Sequence, residues 1–83
     1  MQFISTLIVF ILLTNNSDRL IRISVDHITF YEDAINSDYN ERTKIYLESG
    51  LVIPVMETPS DIDMILSDPI SVRKVIERPK VKN

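Results

Sequence analysis

The sequence predicts an α+β fold: a small antiparallel β-meander of four to five strands, a C-terminal helix packed on one face, and a second short helix. Three observations carry this reading. Several short runs alternate apolar and polar residues, the period of half-buried strands. Gly50, the only glycine, follows Ser49 between two such runs, where a hairpin turn needs positive φ. Thr58, Pro59 and Asp61 then open an apolar stripe at Ile62, Ile65 and Leu66, the pattern of a capped helix lying on a sheet.

The chain begins with "FISTLIVFILLT" (3–14), rich in β-branched and aromatic residues, which predicts a long strand over 3–13. A spanning helix needs ~20 apolar residues, more than this run offers. A signal or anchor segment is the alternative for it, although no basic residue precedes the run and no small-residue cleavage site follows. "TNNSD" (14–18) is a turn cluster, and its glycosylation-like "NNS" is read as turn chemistry. "RLIRISV" (19–25) alternates as a second strand. "VDH" (25–27) is a kink, and "ITFYEDA" (28–34) is a third strand with Ile28 and Phe30 on one face, Thr29 and Tyr31 on the other.

"INSDYNER" (35–42) is a polar hairpin loop. "TKIYLES" (43–49) turns back through a two-residue Ser49-Gly50 loop into "LVIPVM" (51–56). Pro54 cannot donate to a ladder, so this last run is expected at a sheet edge. After the helix from Pro59, Ser67-Asp68-Pro69 breaks the pattern. "ISVRKVIER" (70–78) places Val72, Val75 and Ile76 as a second short helix ending at Pro79. Residues 1–78 thus form one domain and 79–83 a basic tail.

Composition excludes much. With no cysteine there is no disulfide framework, thiolate zinc site or cysteine nucleophile, and a cytoplasmic setting fits. One histidine cannot make a multi-His metal site. One glycine cannot make a phosphate-cradling loop. His27 is read as a turn residue, and Asp61 and Asp63 with nearby Glu57 as helix-start acids. Glu32 and Asp33, being neighbours in a strand, point apart. No catalytic group, metal site or cofactor is expected. The net charge of −3 divides unevenly: residues 1–72 carry eleven acids and four bases, residues 73–83 five bases and one acid. An acidic body argues against nucleic acid; the basic tail suits phosphates or an acidic partner.

From about Leu12 to Leu66, "LLTNNSDRLIRISVDHI", "TKIYLESG" and "VMETPSDIDMIL" resemble the small flagellar FlbD/SwrD-type domain. The resemblance implies a small cytoplasmic β-domain that influences flagellar motor output without catalysis. It specifies a fold rather than a site, and the early start of the first strand, the long loop and the basic tail depart from it.

The expected function is a non-enzymatic protein-interaction or regulatory module acting as a homo-oligomer. Its interface is expected at Phe3, Leu7, Val9, Phe10 and Ile11, because strand alternation sends large side chains to both faces. The alternative is an oligomeric sequestering or sensing protein for a small anionic metabolite or nucleotide, held by Arg19, Arg22, Arg42, Lys44 and Tyr46. A membrane partner is conceivable only through residues 3–13.

Overall fold

The computed structural model describes residues 7–35 and 40–78. In chain order these form β1 (Ile8–Thr14), β2 (Leu20–Ser24), a 3-10 turn (Val25–His27), β3 (Ile28–Asp33), β4 (Thr43–Leu47), β5 (Val52–Val55), α1 (Pro59–Ser67) and β6 (Lys74–Glu77). The strands make two antiparallel sheets of three, ordered β2-β1-β6 and β3-β4-β5. The second sheet is the expected meander. The kink at 25–27 separates the two sheets, and they meet where Asn15 bridges Val55 and the Met56 N–H donates to the Thr14 carbonyl at 2.8 Å.

The expected second helix is a strand. Val75 and Ile76 are β-branched and suit an extended backbone. The open side of β1 offers a ladder, which β6 fills with Ile8 opposite Glu77 and Ile11 opposite Lys74. β1 is thus the central strand of its sheet, with β2 on one side and β6 on the other. β1 begins at Ile8; residues 3–6 of the expected strand, the interface candidate Phe3 and the tail 79–83 lie outside the described residues.

Two hairpins use the same loop. Asn15 pairs back to Arg19, with the Asp18 N–H donating to the Asn15 carbonyl at 3.0 Å and Asp18 at φ 61. Leu47 pairs back to Leu51, with the Gly50 N–H donating to the Leu47 carbonyl at 2.9 Å and Gly50 at φ 91. Each is a three-residue loop whose last residue is left-handed, not the two-residue turn expected at Ser49-Gly50. A Cβ on Gly50 would meet nothing within 4 Å, so crowding is not what selects glycine there. Gly50→Val is therefore expected to cost about 1–3 kcal/mol through backbone strain alone, and a urea titration reads it directly.

β3 carries a bulge. Ile28 faces Leu47 but Phe30 faces Tyr46, so Thr29 is an extra residue in the ladder. The bulge shifts the alternation by one. Ile28 and Tyr31 pack on the core while Phe30 is turned outward, against the expected pairing of Ile28 with Phe30.

The core is built from Ile11, Leu13 and Ile23 of the first sheet, Ile45 and Val55 of the second, and Ile62 and Ile65 of α1. The helix starts as its sequence dictates. The Asp61 N–H donates to Thr58 Oγ1 at 3.1 Å, and the Thr58 N–H donates to Asp61 Oδ2 at 3.2 Å, with Pro59 in the first turn. Its other end is held from β6: Lys74 Nζ donates to the carbonyls of Leu66 at 2.9 Å and Asp68 at 2.7 Å.

Candidate functional site

The outer face of the β3-β4-β5 sheet is laid out in rows. Registers Phe30–Tyr46 and Tyr46–Val52 align three apolar side chains straight across all three strands. The next row is Glu32–Lys44–Pro54. Phe30 and Tyr46 stack with ring centroids 4.3 Å apart and planes 11° from parallel. The Tyr46 hydroxyl donates to Glu32 Oε1 at 2.6 Å, tying the two rows together. That hydrogen bond, more than burial, raises the Tyr46 pKa. Phe30 remains 50 % exposed and Val52 42 %. β5 is the sheet edge that Pro54 requires.

The outer face of the first sheet is arranged differently. Phe10 lies at its centre, and the Arg22 guanidinium sits 4.6 Å over the ring while pairing with Glu77. A cation from β2 and an anion from β6 thus span β1 and cover the aromatic face. Among the expected interface residues, Leu7 is exposed, Val9 and Phe10 are partly buried, and Ile11 is wholly buried in the core. Ile11 is therefore no interface residue.

The expected anion patch is distributed over separate elements. Arg22 is committed to Glu77, and Arg19 ends the first hairpin loop. Lys44 and Tyr46 lie on β4 with Glu32 beside them, and Arg42 lines a separate depression with Asn40, Met56 and Thr58.

Glu57 is the side chain that local patterns missed. Its side chain is only 10 % exposed. It accepts the Thr14 N–H at 2.9 and 3.0 Å and Arg73 Nη1 at 2.7 Å. Its own carbonyl accepts the buried Thr43 hydroxyl at 2.6 Å. One residue therefore joins the end of β1, the start of β4 and the approach to β6. Asp61 caps the helix, and Asp63 accepts the Tyr31 hydroxyl. His27 Nδ1 meets Glu48 Oε1, with the Glu48 N–H donating to the His27 carbonyl at 3.0 Å. Among the described residues, no group of three or more His, Asp or Glu side chains is placed to hold a metal ion, and no helix is long and apolar enough to cross a membrane.

Burial first, and then the hydrogen bond to Asp63, push the Tyr31 pKa from 10.0 up to about 12. The fold favours the neutral phenol, so this contribution is intact below pH 10 and is lost as pH rises through about 12. Stability measured across that window is expected to fall more steeply for the native chain than for Tyr31→Phe.

No family model matches the chain, no curated protein matches it, and no solved structure matches it.

Proposed function

We propose that the chain is a non-catalytic protein-interaction module that works as a homo-oligomer through the outer face of its β3-β4-β5 sheet. The observation that carries this is the Phe30–Tyr46–Val52 row, contiguous across the sheet, with Phe30 and Val52 exposed. A stacked aromatic pair is already fixed in one geometry, so it loses little side-chain freedom on docking. Exposed apolar patches of this kind mark contact surfaces on small domains. The acids nearest the helix are absorbed in structural hydrogen bonds, which supports a binding role over a chemical one. A cytoplasmic setting and a regulatory role, as the FlbD/SwrD resemblance implies, fit the same reading. The rival, capture of a small anionic metabolite or nucleotide, is less favoured because Arg22 is already paired and Lys44 stands beside Glu32.

Light scattering at micromolar concentration tests the proposal. The native chain is expected as a dimer or larger ring, and Phe30→Ser/Val52→Ser as a folded monomer of 9.6 kDa. A monomeric native chain refutes it, as does an oligomer that the double substitution leaves intact.

A further inference from the structure

A groove of about 570 Å³ runs between α1 and the turn that leads into β6. Met64 and Ile65 give it an apolar wall, and Glu57, Asp61, Asp68 and Arg73 also line it. Ser71 lies on its rim, and its neighbours Ile70 and Val72 are 85 % and 93 % exposed. These are the most exposed large apolar side chains among the described residues. Residues 57–72, which supply most of this surface, contain four acids and no Lys or Arg. The cations nearby are Arg73, paired with Glu57, and Lys74, turned to the helix carbonyls. The groove is therefore apolar within and acidic around, the chemistry that receives an extended basic peptide with an apolar residue between its charges.

One segment of this chain has that composition. Residues 78–83 read Arg-Pro-Lys-Val-Lys-Asn, with three cations, no acid, and Val81 between two lysines. In an extended peptide Val81 points opposite Lys80 and Lys82. That alternation matches the groove, where Met64 and Ile65 form the apolar wall and Asp61 and Asp68 the acidic lining. The strand that precedes the segment runs away from the groove of its own copy. β6 leads away from Arg73 along β1, so residue 78 stands roughly 16 Å from the groove at ~3.3 Å per residue. We propose that the groove receives the C-terminal segment of a second copy, a head-to-tail contact distinct from the aromatic row.

A head-to-tail contact closes into a ring or continues as a filament. A single short peptide is too weak to hold an oligomer at micromolar concentration alone; it adds reach and register to one already formed.

The test keeps the two contacts apart by using the full-length Phe30→Ser/Val52→Ser chain. A fluorescein-labelled peptide of residues 77–83 is titrated against it by anisotropy, with methyl NMR shifts as the map. Binding is expected with shifts at Met64 and Ile65. A peptide with Lys80→Glu and Lys82→Glu is expected to bind at least ~10-fold more weakly, and binding to weaken as salt shortens the screening length to ~3 Å at 1 M. Absent binding, equal binding of the charge-reversed peptide, or shifts confined to other surfaces overturn the proposal. Circular dichroism confirms that the chain tested is folded, so each outcome bears on the groove.

Discussion

Glu57→Ala is expected to remove about 3 kcal/mol of stability, a large loss for one solvent-edge residue. The substitution deletes an acceptor that serves both the Thr14 N–H and Arg73. The Thr14 amide then loses its partner in a part-buried place, and an unmet buried donor costs about 1–3 kcal/mol. Arg73 loses its anion, and the segment that delivers β6 to β1 loses its clamp. Glu57→Gln keeps one oxygen for Thr14 but no charge for Arg73, and should lose about half as much. Urea titrations of both variants check this, and Arg73→Ala combined with Glu57→Ala should cost less than the sum of the two alone. Additive losses would mean that Glu57 and Arg73 act separately.

The second large effect is expected at Ile11. It lies at the middle of the central strand of the first sheet, with no exposed surface. Ile11→Ala should cost about 3–4 kcal/mol, the transfer term plus an unfilled cavity. Small domains of this size have only about 4–12 kcal/mol in total. Thermal unfolding should therefore fall by more than ~10 °C. The result separates two roles. A core residue destabilises every copy when truncated, whatever the concentration. An interface residue changes the oligomer and leaves the monomer's stability near its native value.

The helix and its cap were legible because every signal is local. Thr58, Pro59 and Asp61 are neighbours, and their hydrogen bonds close within three residues. The kink at Val25–His27 and the left-handed Gly50 were legible for the same reason. What was hidden depends on partners far along the chain. Val72, Val75 and Ile76 have helical spacing, and only the open side of β1 makes residues 74–77 a strand. Glu57 gives no local sign of its work, because Thr14 and Arg73 lie 43 and 16 positions away. The bulge at Thr29 also left no mark in the alternation, and it decides which face Phe30 occupies. The candidate interaction row was therefore half legible: Tyr46 lies between the inward Ile45 and Leu47 and faces out by simple alternation, while Phe30 joins it only through the bulge.

The pairing of β6 with β1 also sets an order of assembly. Of all the strand pairings it closes the longest stretch of chain, and non-local pairings form late and slowly. The second sheet needs only neighbouring strands and is the natural nucleus, with α1 settling on it soon after. The first sheet has to wait. While the chain is being made, β1 has β2 alone beside it, and a two-stranded ribbon is marginal in water. Until residues 74–77 have been synthesised, one whole side of an apolar strand stands open to any neighbouring chain. Crowded synthesis on a shared messenger would bring such open strands together, so the growing protein is most vulnerable to aggregation in the moments before β6 arrives.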